Sequence, residues 1–277
     1  MQIIGVDFTS RPRKTKPIVC AVCELKGERL ELQEMKVLES FTVFDDFLNI
    51  KGEWLCGIDA PFSQPRKLIE DLNLPLSWSG YVKAFAEMGQ EGFVECLNAY
   101  RENQPSGQKE HLREVDKRAK AISPMKLYGV PVGKMFFELA PRLLGTSLNI
   151  PILRPTPDTR TVVEVYSSLV ARSLIGRRSY KSDVKEQQTR ARAEARADLV
   201  RMLGSSKLQD SYGITLTLTQ KQRVSLANDT KGDVLDACLA AIQTAWVHHR
   251  ENFGIPENVD RLEGWLADPS LRLKIEN

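Results

Sequence analysis

No stretch of the chain carries the ~20 consecutive apolar residues that a membrane-spanning helix needs. No basic segment followed by an apolar core precedes the first strand-like run, so no secretory leader is read. Cysteine is scarce: five thiols in 277 residues, at positions 20, 23, 56, 96 and 238, make no even disulfide framework. Together these absences read as a cytoplasmic protein. Aromatic residues are 7% of the chain, too few for a base-stacking platform. The formal charge of +3 gives no bulk attraction to nucleic acid, so any such argument must come from local clusters. Histidine is rare, and His111, His248 and His249 have no metal-ligand spacing. There is no Walker loop, no GxGxxG and no nucleophile elbow. What remains is an ordinary globular balance of 42% hydrophobic and 27% charged residues.

Two apolar runs, each ending in a carboxylate, stand out against that background. Ile3-Ile4-Gly5-Val6-Asp7 opens the chain, and Trp54-Leu55-Cys56-Gly57-Ile58-Asp59 repeats its pattern. As strands, both alternate faces and put a glycine two residues before the aspartate on the same face. Cys20-x-x-Cys23 has half of a zinc spacing, but it lies in a strand-like run whose alternation sends the two sulfurs to opposite faces, so both fill core.

Between and after these runs the chain reads as follows. Ile18 to Leu25 and Leu30 to Leu38 form a hairpin about Lys26-Gly27-Glu28, and Thr42 to Asn49 is a short helix. From 62 to about 157 no strand is convincing; helices are expected over Gln64–Leu72, Tyr81–Asn103, Gln108–Ile122 and Gly133–Leu144. That length exceeds ordinary loops several-fold and reads as an inserted helical cap over the strand ends, within a single domain of residues 1–277. Thr161 to Tyr166 is a further strand, Asp183 to Leu203 a long charged helix, and Lys231 to His249 a core helix. Pro256 to Asn277 reads as a short helix and tail. Apolar strands separated by helices argue for an α/β fold with a largely parallel central sheet.

The candidate site is acidic. Asp7 and Asp59 lie at the carboxyl ends of their strands, where ligands gather in such sheets. Asp233 and Asp236 are three apart at the start of a helix and so share a face, and Glu164 is the acid of the later strand. Singly, each has a plainer explanation: a turn cap for Asp7, a helix start for Asp233, a buried arginine partner for Glu164. Jointly, crowded carboxylates require protonation or a cation, and hard oxygen donors favour Mg²⁺ or Mn²⁺. Two such ions would clamp a phosphodiester for in-line attack by water. Arg11, Arg13, Lys14 and Lys16 leave the end of the first strand beside Asp7 and are the candidate phosphate-binding loop. The basic stretches Arg101–Lys126 and Arg172–Arg201 are the other candidates, although long charged helices are usually solvated faces.

The order of elements, with Ile3-Ile4-Gly5-Val6-Asp7 and the Asp233-x-x-Asp236 helix, resembles the ribonuclease H-like superfamily. More narrowly, Gly57-Ile58-Asp59-Ala60-Pro61-Phe62, Arg113-Glu114-Val115-Asp116-Lys117-Arg118, Val163-Glu164-Val165-Tyr166 and Asp233-Val234-Leu235-Asp236-Ala237 resemble a domain-of-unknown-function family described as predicted RNase H-like nucleases. The resemblance spans nearly the whole chain. It implies a mixed central sheet of order 3-2-1-4-5 flanked by helices, with a large helical insertion between strands 4 and 5. It also implies a metal-dependent nuclease acting on RNA or DNA, with Asp7, Asp59 and Asp236 or Asp233 as metal ligands, and it gives Glu164 a less direct place. The superfamily's first-helix glutamate has no counterpart here, where only Asp45 and Asp46 are available. Two alternatives follow from the same acids. One is a phosphotransferase or ATPase of the actin and sugar-kinase group, whose glycine-rich turn after the first aspartate is missing from Phe8-Thr9-Ser10-Arg11-Pro12. The other is a nucleic-acid-binding protein that does not cut.

Overall fold

The computed structural model describes residues 1–271; the end of the expected tail, residues 272–277, lies outside the described residues. At the centre is β1 (Gln2–Asp7), which pairs antiparallel with β2 (Ile18–Lys26) and parallel with β4 (Trp54–Asp59). A tight turn joins β2 to the antiparallel β3 (Arg29–Leu38). β5 (Arg160–Glu164) adds to β4 in parallel, and β6 (Thr215–Thr217) adds to the free edge of β3, also in parallel. The order is β5-β4-β1-β2-β3-β6. The expected five-strand order is thus corrected by a sixth strand beyond β3. That strand is three residues long with only Leu216 buried, too short to carry a readable period.

The sheet has two apolar faces, as alternation requires. Ile4, Val6, Phe8, Cys20, Cys56 and Ile58 point into one core. It is filled by α1 (Phe41–Leu48) and by helices of the β4–β5 connection: α2 (Arg66–Asp71), α3 (Trp78–Glu87), α4 (Gly89–Glu102) and α6 (Val132–Leu144). The connection, expected to lie over the strand ends, therefore buries its aromatic residues (Phe62, Trp78, Tyr81, Phe85, Phe93 and Phe136) against a sheet face. The single helix expected over 81–103 is broken at Gly89, and the one expected over 108–122 shrinks to α5 (Glu114–Ala119).

Ile3, Val19, Ala21, Cys23 and Leu55 face the other core. Cys20 and Cys23 accordingly lie on opposite faces, both buried. This side is covered by α7 (Ser167–Ile175), α8 (Arg190–Met202), α9 (Ser206–Tyr212), α10 (Gln220–Asn228) and α11 (Asp233–His248). The helix expected from 183 begins only at 190, because the Thr189 hydroxyl accepts the Arg192 amide (3.4 Å) and caps it there. From Leu235 to Val247 every residue of α11 is buried, as a helix apolar all round must be. No helix among the described residues is long and apolar enough to cross a membrane.

Candidate metal centre

Asp7 and Asp59 end β1 and β4, and the parallel register pairs them residue for residue, as it pairs Gly5 with Gly57. The glycines explain why a third acid joins them. A Cβ on Gly5 would stand 2.1 Å from the Ala241 amide nitrogen and 2.2 Å from the Ala237 carbonyl oxygen. One on Gly57 would stand 2.0 Å from Thr244 Oγ1. The missing side chains let α11 lie directly on the two strands, and the helix start, with Asp236, reaches their carboxyl ends. One carboxylate oxygen each from Asp7, Asp59 and Asp236 lie within 4.8 Å of one another.

Each acid is held from outside the group. The Ser167 amide (3.2 Å) and hydroxyl both donate to Asp59 Oδ2, so this carboxylate caps the first turn of α7. The Tyr180 hydroxyl donates to Asp236 Oδ1 (2.5 Å) and the Lys181 ammonium donates to Asp236 Oδ2. The start of α11 is fixed by Asp229, which accepts the amides of Gly232, Val234 and Leu235 at 3.1, 2.8 and 3.1 Å. Gly232, at φ 82°, is needed twice over: for its left-handed backbone, and because a Cβ there would strike Lys181 Cδ at 2.4 Å.

The electrostatics are those of crowded anions in a low-dielectric setting. Burial raises the Asp7 carboxyl well above its usual range, Asp236 raises it further, and Lys181 partly opposes the rise. Burial also lifts Asp59 to about 6, against the bonds from Ser167 that favour its charged form. Asp7 and Asp59 keep partial solvent contact while Asp236 is buried. Burial alone would depress the Lys181 ammonium, but Asp236 and Asp7 more than offset it and hold the group charged. Three carboxylates against one ammonium leave a surplus of negative charge.

This donor set fits a hard divalent cation. Oxygens around a Mg²⁺ at ~2.1 Å lie roughly 3 to 4.2 Å apart, a separation close to the one found here. Asp7, Asp59 and Asp236 could hold such an ion.

The other expected site residues are distributed differently. Asp233 is outside the triad: its Oδ1 accepts Lys16 Nζ at 2.7 Å, and the same ammonium reaches Asp183 Oδ1 at 2.9 Å. Of the basic loop, Lys16 alone meets the acids. Arg13 pairs with Lys16 across a small turn and donates to Thr15 Oγ1 (3.0 Å), and Arg11 and Lys14 extend outward. Glu164 is turned away. It stands opposite Ile58 in the register, on the far face of the sheet from Asp59. There Arg113 grips it twice (2.8 and 2.5 Å), the Phe62 amide donates to it (2.9 Å), and Asp116 accepts the same guanidinium. The Arg113–Asp116–Glu164 cluster is a buried ionic strut joining α5 to β5. The plainer explanation of Glu164, a buried arginine partner, describes its place, and its acid-site role is withdrawn.

Tyr180, Lys181, Ser167 and Asp229 were not anticipated. Asp229 had a sequence signal, an acid three residues before a glycine at a helix start. Tyr180 and Lys181 had none, since they stand in an irregular segment among many basic residues.

A family model described as "Protein of unknown function (DUF429)" matches residues 5–261. No curated protein and no solved structure matches the chain.

Proposed function

The chain belongs to the DUF429 family, whose description assigns no function, and from the chemistry of its own site we propose that it is a Mg²⁺- or Mn²⁺-dependent nuclease on a ribonuclease H-like fold. One observation carries the reading: Asp7 and Asp59, in register on adjacent parallel strands, and Asp236, from the helix laid across them, offer oxygens within 4.8 Å of one another. The sheet supports it with the run β3-β2-β1-β4-β5, antiparallel at β2 and followed by helices on both faces. A divalent ion, when bound, supplies Lewis-acid polarisation of a phosphodiester and acidifies the attacking water.

The chain's own groups do the rest. Ser167 fixes the Asp59 carboxylate through two donors, and Tyr180 fixes Asp236. Lys181 offsets the mutual repulsion of the acids and brings an ammonium to the place where a phosphoryl group would gain charge. No serine or cysteine nucleophile is required, which agrees with Cys20, Cys23, Cys56 and Cys238 being buried in the cores.

The test is cleavage of a panel of RNA, DNA and hybrid substrates by purified protein, with and without Mg²⁺ or Mn²⁺. Metal-dependent cleavage that Asp7→Asn abolishes is expected. Binding without cleavage on every substrate would favour the non-catalytic alternative, and nucleotide hydrolysis without strand scission would favour the kinase-like one.

A further inference from the structure

Beside the carboxylate triad, between α7 and the 176–181 segment, is a cavity of about 420 Å³. Its ten lining residues include five cations (Lys120, Arg172, Arg177, Arg178 and Lys181) and no acid. Tyr180 and Lys181, the two residues that hold Asp236, form part of the wall, so cavity and triad share a boundary.

Much of this positive charge is not neutralised. Arg178 is paired with Asp198 at 2.6 Å, and Lys181 with Asp236. Among the described residues Arg172 donates to uncharged oxygens alone, the Ala119 carbonyl (2.8 Å) and the Tyr166 hydroxyl (3.2 Å). Among the described residues no carboxylate forms an ion pair with Lys120, Arg172 or Arg177. Three like charges held around one cavity repel one another, and an anion with several acceptor oxygens relieves that repulsion while taking their free donors. A second cavity of about 510 Å³ shares Arg178 and Ser179 with the first and runs on to Arg192, with Glu186 also in its wall. The groove therefore continues past the first cavity, while the surplus of positive charge is confined to the first.

We infer that this cavity is the subsite for a backbone phosphate of a nucleic-acid strand, next to the phosphodiester addressed at the triad. The identity of the ligand rests on the nuclease reading above, whereas the anion site rests on the cavity itself. A groove that runs on from the cationic cavity into a second one favours a polymer over a mononucleotide, which would fill only the first.

The test is fluorescence anisotropy of a short labelled single-stranded oligonucleotide in metal-free buffer with EDTA, where no cleavage intervenes. The double variant Lys120→Gln/Arg177→Gln changes two exposed side chains that hold nothing else in place. Its charge-matched control is Lys36→Gln/Lys83→Gln, on β3 and α3 and outside the cavity lining. We expect the first variant to lose at least about tenfold in affinity, the equivalent of one charge-assisted hydrogen bond. Its logarithmic salt slope should become shallower by about 1.4, for two contacts on a single strand. The control should match the unmodified protein. Equal affinity and slope in the two variants, or no oligonucleotide binding by the unmodified protein, would overturn the assignment. So would 5′-AMP competing as tightly as the oligonucleotide, since the ligand would then be a mononucleotide. Dependence on Lys120 and Arg177 in a protein that cleaves nothing with Mg²⁺ or Mn²⁺ would uphold the subsite and sink only the nuclease reading.

Discussion

Replacing Asp59 by asparagine should stabilise the metal-free protein at alkaline pH and destroy its response to metal. The folded state lifts the Asp59 carboxyl from its ordinary 3.8 to about 6, equivalent to roughly 3 kcal/mol against the ionised form. Partial solvent contact and the lost charge-assisted bonds from Ser167 reduce the net gain of Asp59→Asn to about 1–2 kcal/mol. An unfolding entropy of about 0.6 kcal/mol/K for a chain of this size converts that into a rise of about 2–3 °C in melting temperature. The sign depends on pH. Below about 4 both states are protonated at this residue and the charge penalty is absent. As pH rises to 6 the unfolded chain ionises while the folded one keeps its proton, so the unmodified protein loses stability relative to the variant. Above about 6 the penalty is complete. Saturating metal reverses the order: at a hundredfold excess over Kd the unmodified protein gains about 2.7 kcal/mol, or about 5 °C, and the variant gains far less. Scanning calorimetry at pH 4, 6 and 8, with and without Mg²⁺, measures all of this. A metal-free variant less stable than the unmodified protein at pH 8, or a variant with an undiminished metal response, would mean that Asp59 is neither strained by its burial nor a metal ligand.

Three further perturbations separate site from scaffold. Gly5→Ala drives a methyl into the α11 backbone, and overpacking against an element that cannot yield should cost more than about 3 kcal/mol, read as insoluble expression or a melting temperature at least about 5 °C lower. Glu164→Gln takes away one of the two carboxylates that grip Arg113, whose charge Asp116 still balances, and weakens charge-assisted hydrogen bonds, so it should destabilise by about 1.5–3 kcal/mol in denaturant titration while leaving the metal affinity of the surviving fold unchanged. A drop in metal affinity there would return Glu164 to the site. Lys181→Met removes the ammonium that competes for Asp236, so isothermal titration at pH 8 should show Mg²⁺ binding at least about tenfold tighter alongside a lower metal-free melting temperature. Weaker Mg²⁺ binding would mean that Lys181 supports the ion rather than competing with it.

The legible part of this molecule was the part that strict alternation writes. Ile-Gly-Val-Asp and Gly-Ile-Asp each fix a face, and two strands with the same face pattern could be set side by side before any contact was known. The same alternation also contained the error over Glu164. Val163 and Val165 belong to the α11 core, which puts Glu164 on the opposite face from Asp59, so being the acid of a neighbouring strand does not bring it to the site. Asp233 and Asp236 share a helix face, so periodicity could not choose between them. The choice was made by Lys16, which comes from the other end of the chain to claim Asp233. Lys181 was out of reach because its position depends on Gly232 leaving room for its stem. The β6 strand and the break at Gly89 were missed for a related reason: three residues are too few for a period, and a helical pattern continues across a glycine that the backbone does not follow.

Everything proposed for this site requires one divalent ion held by three particular carboxylates. Crystals of the protein soaked in Mn²⁺ and measured at the manganese absorption edge test it most directly. An anomalous peak bonded to Asp7, Asp59 and Asp236 is expected, absent in crystals of Asp59→Asn. A saturating soak with no peak there, or a peak held by other residues, would contradict it.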